Sequence, residues 1–106
     1  MDKNVQTEFV SPLPHPGEIL REDFMLPFSL TASALSKMMG LGDRTRIERL
    51  SRCKSALSPN TALRLARVFE TSPEFWMNLQ SQHDLTRAAI EVGSSLSAIK
   101  PISQAA

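Results

Sequence analysis

TASALSKMMGLGDRTRIERLSRCK, residues 31–54, reads as two short helices joined by a tight turn. Thr31 is a suitable N-cap, since its hydroxyl accepts from the free N–H groups of a first turn. Ala34, Leu35, Met38 and Met39 then recur at spacings of three and four, which predicts one buried helical face. Gly40 and Gly42 follow, and glycine is the least strained residue where the chain turns at positive φ. The second helix is predicted to begin near Asp43, whose carboxylate suits a helix N-terminus.

In that second helix only Ile47 and Leu50 are sizeable apolar residues. Arg44, Arg46, Arg49, Arg52 and the following Lys54 make the rest of its surface basic, against Asp43 and Glu48. Charged helix faces are usually solvated and nothing more. Here the charge has one sign, with only Glu48 placed to pair, and it follows a supporting helix and turn. That combination suits a DNA-reading helix-turn-helix, in which guanidinium forks bond phosphates and guanine edges.

The whole chain, 106 residues and 42% hydrophobic, is long enough for one domain. Net charge is only +1, so the local clustering of cations points to nucleic acid and the global charge does not. No apolar run approaches the ~20 residues of a membrane helix. The N-terminus lacks the apolar core of a secretion signal. The single cysteine, Cys53, excludes an internal disulfide and fits a reducing cytoplasm.

Residues 1–14 lack periodicity and are expected to form a flexible arm, with Phe9, Val10 and Leu13 available to dock on a partner. A helix is predicted from His15-Pro16-Gly17-Glu18 to Pro27, with Ile19, Leu20, Phe24 and Met25 on its apolar face. Ser58-Pro59 opens another, carrying Ala62, Leu63, Leu65, Ala66 and Phe69. Arg64 and Arg67 on it read as solvated. Ser72-Pro73-Glu74 opens the last. Trp76 there is assigned to the core by default. The helix continues through Leu85, Ala88, Ala89 and Val92, more apolar surface than a small core needs. Phe75, Trp76, Leu79, His83 and Leu85 are therefore candidates for a subunit contact. Gly93-Ser94-Ser95 breaks the pattern, and residues 93–106 read as a loose tail.

The sequence offers no feature of an enzyme. His15 and His83 stand at different helix ends without a cysteine at metal-ligand spacing. No phosphate-cradling glycine loop appears, and Glu22 and Asp23 diverge on a helix. No metal and no cofactor is expected.

The segments HPGEILRE (15–22), TALRLAR (61–67) and TSPEFWMNLQ (71–80), together with the helix-turn-helix, closely resemble HigA-type antitoxins. These belong to the lambda-repressor-like (Xre) helix-turn-helix group, and the match covers about residues 14–86. The resemblance implies an all-α, five-helix domain over residues 15–92. It also implies a cytoplasmic antitoxin that neutralises a HigB-type, RelE-like mRNA-cleaving toxin and, as a homodimer, represses its own operon on double-stranded operator DNA.

Carried over by position, base-facing sites fall at Asp43, Arg46 and Arg49, with Arg44 and Thr45 adjacent. Thr31, Ser33 and Lys37 match positions that meet phosphate. Arg46 and Arg49 are the expected base readers; Lys37, Arg44, Arg52 and Lys54 are the expected phosphate contacts. Two departures bear on the register: the turn before Ile47 is one residue longer, and Arg52-Cys53 stands where the family often has Asn-Gly. Two alternatives stay open at this point. One is a repressor without a toxin. The other is a protein-binding antitoxin that has lost DNA affinity.

Overall fold

The structure is a computed structural model in which residues 11–105 are described; the predicted arm at 1–10 lies outside them. All regular structure among the described residues is helical. The elements are α1 (Pro16–Ile19), which runs on as a π-helical turn (Leu20–Met25), then α2 (Ala32–Met38), α3 (Thr45–Ser51), α4 (Pro59–Phe69) and α5 (Pro73–Val92). A 3-10 turn (Gly93–Ala98) and a one-turn helix α6 (Ile102–Ala105) follow.

Local chemistry sets the starts. Ser58, Ser72 and Thr31 each accept the N–H of the residue three on, and Pro59 and Pro73 enter in the first turn. His15 caps α1 through Nδ1, which accepts from Gly17 N–H at 2.9 Å. The π turn places residues five apart on one side, so Leu20 and Met25 are both buried.

The core gathers Leu20, Leu35, Met39, Ile47, Leu50, Leu57, Leu65 and Trp76. Trp76 is fully buried, and its indole N–H donates to Thr71 Oγ1 at 2.8 Å. Phe24, Phe69 and Phe75 pack around it, with ring centroids 4.9–6.3 Å away. Buried Gln80 bonds the α3–α4 loop to α5: its Oε1 accepts from Leu57 N–H at 2.7 Å.

Two predicted core residues face out instead. Met38 is 58% exposed and Leu63 59%. On α2 the buried stripe runs through Leu35, Ser36 and Met39, so position 38 falls to its side. On α4 it runs through Thr61, Ala62, Leu65 and Ala66, and position 63 turns away.

The last four residues before α1 are not all free. Leu13 N–H donates to Thr86 Oγ1 at 2.8 Å, and its carbonyl accepts from His83 Nδ1 at 2.7 Å. Leu13 thus lies strapped to α5, although the sequence places it in a flexible arm. At the other end, Leu96, Ile99 and Ile102 of the predicted tail are exposed.

Candidate nucleic-acid interface

α2 and α3 form the helix-turn-helix. At the end of α2, Leu41 N–H donates to Ser36 O at 2.9 Å and Gly40 N–H to Lys37 O at 3.0 Å. Gly40 takes a φ of 75° between them. These two bonds close the C-terminus and turn the chain sharply. Asp43 Oδ1 then accepts from Thr45 N–H at 2.9 Å, so Asp43 caps α3 from just ahead of it.

α3 ends in the same way. Lys54 N–H donates to Arg49 O at 2.8 Å and Cys53 N–H to Leu50 O at 2.9 Å. Cys53 carries the left-handed turn at φ 59°. This accounts for the departure at Arg52-Cys53: cysteine holds the backbone shape that a glycine would hold there without strain.

The helix is seated by its apolar side, Ile47 and Leu50, both buried. It is also locked to α1. A Cβ on Gly17 would stand 1.8 Å from the Leu50 carbonyl oxygen, so the two backbones touch only because residue 17 is glycine. Arg21 Nη1 donates to the Ser51 carbonyl beside it.

Asp43, Arg44, Thr45, Arg46, Arg49, Arg52 and Lys54 are all exposed, as the sequence predicts for a reading surface. Arg44 pairs with Glu48 at 3.0 Å. Arg49 Nη2 donates to the Lys54 carbonyl at 3.1 Å. Arg46 turns toward the start of α4, where its Nη1 meets Asn60 Oδ1 at 2.7 Å. On α2, Ser33 and Lys37 are exposed and line a shallow depression with Leu41, Gly42, Asp43 and Arg44. The Ser36 hydroxyl in its wall is buried without a hydrogen-bond partner. The hydroxyl of Thr31, expected to meet phosphate, accepts from Ala34 N–H at 3.0 Å as the cap of α2 and keeps its own O–H as a donor.

Sequence reasoning missed two polar residues of this front, Asn60 and Arg64. Arg64, read as solvated, donates to the Met39 carbonyl at 2.7 Å and to Asn60 Oδ1 at 3.0 Å. The Ser58-Pro59 cap hides Asn60 in the sequence, because it explains the local composition without assigning Asn60 a task.

Away from this front, the exposed side of α5 has Met77, Ser81, Asp84, Leu85 and Ala88 along one shallow apolar groove. Of the residues offered for a subunit contact, Phe75 is 37% exposed and Leu85 65%, while Leu79 and His83 are half-buried. Trp76 has no surface left to offer a second subunit and belongs to the core.

His15 and His83 stack edge to face with centroids 5.0 Å apart. Burial, with the neighbouring His83 next in effect, holds the His15 imidazole below its ordinary value. Among the described residues no three His, Cys, Asp or Glu side chains are grouped to hold a metal ion. No described helix is long and apolar enough to cross a membrane.

No protein-family model matches the chain. Individual proteins do. Virulence-associated protein I of Dichelobacter nodosus is 38% identical over 92 residues, 87% of this chain and 83% of that one. The Pseudomonas aeruginosa antitoxin HigA, in a structure with the higBA promoter, superposes with a TM-score of 0.79 at 35% identity, covering 85% of this chain and 98% of that one. Antitoxin GraA in complex with its operator gives 0.82 at 33% identity, over 96% and 98% of the two chains. With this fold, this level of identity and near-complete coverage of a solved HigA, the chain belongs to the HigA family of helix-turn-helix antitoxins.

Proposed function

We propose that this protein is an operator-binding antitoxin. As a homodimer it places two copies of α3 in successive major grooves ~34 Å apart on palindromic DNA of its own promoter, and so represses its operon. The carrying observation is the row Arg44, Arg46, Arg49, Arg52 and Lys54, exposed on a short helix that Ile47, Leu50 and Gly17 seat firmly. The relatives solved with promoter or operator DNA support the same reading. Arg46 and Arg49 read bases; Lys37, Arg44, Arg52 and Lys54 contact phosphates, and Ser33 lies beside them.

Its second role is to bind and neutralise a HigB-type, RelE-like mRNA-cleaving toxin encoded beside it. Family membership supports this role. The subunit contact falls on α5, where Phe75 and Leu85 expose apolar surface.

Arg49→Ala tests the DNA reading. It should cost on the order of 1–3 kcal/mol on promoter DNA and relax preference at one base pair. An equal loss on every duplex would make Arg49 a phosphate contact. Co-expression with the product of the adjacent reading frame tests the second role. A stable complex that relieves that product's toxicity is expected. Independent elution of the two proteins would leave a repressor without a toxin.

A further inference from the structure

Arg46 does not hang free in solvent. Its Nη1 donates to Asn60 Oδ1 at 2.7 Å and reaches Thr61 Oγ1 at 3.4 Å. The same Asn60 oxygen accepts from Arg64 Nε at 3.0 Å, and Arg64 Nη1 donates to the Met39 carbonyl at 2.7 Å. One line of bonds therefore runs from the end of α2, through the first two turns of α4, to the recognition helix. Each bond has a guanidinium donor, which makes it stronger than a neutral pair.

An amide oxygen has two acceptor sites, and here two arginines from different elements use them. With Nη1 turned to Asn60, the Nε–Nη2 edge of Arg46 is the pair of parallel donors left for a base. Bidentate recognition of guanine needs that edge in a fixed orientation. A free arginine carries about 2 kcal/mol of rotamer entropy, so fixing it before DNA arrives removes part of the cost of ordering it there. An amide suits the task better than a carboxylate. It orients both cations without cancelling their charge beside phosphates.

We propose that Asn60 is a positioning residue for DNA reading: it aims Arg46 and so sets the preference at one base pair of each half-site, without touching that pair. The proposal rests on the operator-binding reading.

The test measures affinity of the full chain for its own promoter DNA and for duplexes with each base pair of the half-site replaced. The proteins are wild type, Arg46→Ala, Asn60→Ala, the double variant and Asn60→Asp, each checked by thermal unfolding. Arg46→Ala should lose roughly 10- to 100-fold and become indifferent at one base pair. Asn60→Ala should lose on the order of 3- to 10-fold and weaken preference at that same pair, with the double variant no worse than Arg46→Ala. Asn60→Asp, which keeps the acceptor, should retain the preference while binding all DNA less tightly. A purely structural role for Asn60 would leave the base preference unmoved.

The proposal is overturned if Asn60→Ala keeps full preference at the pair Arg46→Ala loses, or if the two losses multiply. It is also overturned if Arg46→Ala loses equally on all duplexes. A wild type that binds its promoter no better than a scrambled duplex sinks the operator reading, and the Asn60 assignment falls with it.

Discussion

The front formed by α3 and the start of α4 holds Arg44, Arg46 and Arg49 in bonds before any partner arrives, while the outer face of α5 leaves Leu85 65% exposed along an apolar groove. The first surface is polar and braced. A partner that must be read base by base requires this, because direction decides a hydrogen bond. The second is apolar and its side chains need no aim, because burial energy scales with area and has no direction. The difference teaches how each surface should fail. Damage to the bracing should alter which partner is bound. Damage to the apolar face should alter whether two subunits hold together.

The largest effect should come from the backbone contact that seats α3 beneath that front. Gly17→Ala drives a methyl into the Leu50 carbonyl, so α1 and α3 must separate. A loss of about 3 kcal/mol is expected, read as a lower midpoint in urea unfolding. An unchanged midpoint would mean that the contact between these two backbones does not seat the recognition helix.

Leu85→Asp sharpens the other side of the comparison. The residue is largely exposed, so the variant should keep its helicity, and its stability should fall below the wild type's only by the concentration-dependent contribution of the subunit contact. On the proposed dimer, sedimentation should show two subunits for the wild type and one for the variant. A dimer that survives the charge would move the subunit contact off this part of α5.

Cys53→Gly should act in the stabilising direction. The left-handed conformation strains a residue with a Cβ by roughly 1–2 kcal/mol, and glycine relieves it, less the entropy that glycine adds to the unfolded chain. A net gain of about 1 kcal/mol in stability, with promoter affinity preserved, is expected. A loss would show that the thiol makes a contact worth more than the strain.

The smallest effect concerns pH. The folded state holds His15 below the ordinary imidazole value of 6.5, so the unfolded chain binds more protons between the two values. The His15 contribution is fully present above pH 6.5. It declines as the pH falls through the lower folded value. Urea midpoints between pH 7.5 and 5 should therefore fall for the wild type and fall less for His15→Asn, which keeps a polar cap for α1.

Much of the fold is legible in the sequence because helix starts are local. Ser58-Pro59 and Ser72-Pro73 announce α4 and α5 within four residues, and the structure places both helices there. Which face is buried is less legible. Spacings of three and four fit two adjoining stripes on α2 equally well, and the buried one includes Ser36 where the sequence suggests Met38. The π turn at Leu20–Met25 is not legible either, because it depends on how α1 meets the core. At the candidate interface, the arginine row is plain from composition. The tie from Arg46 to Asn60 is not, since it joins residues 14 apart across two elements. Cys53 lies between: its place after the helix is visible, and its left-handed φ explains why that position suits glycine.

The most direct test of the central claim is binding of the full chain to its own promoter DNA and to a scrambled duplex across a salt series. An operator-binding dimer predicts tight, specific binding whose affinity falls linearly with log salt, with a slope set by the phosphates that both subunits contact. Equal, weak binding to the two duplexes at every salt concentration would contradict it and leave the basic face of α3 without a DNA role.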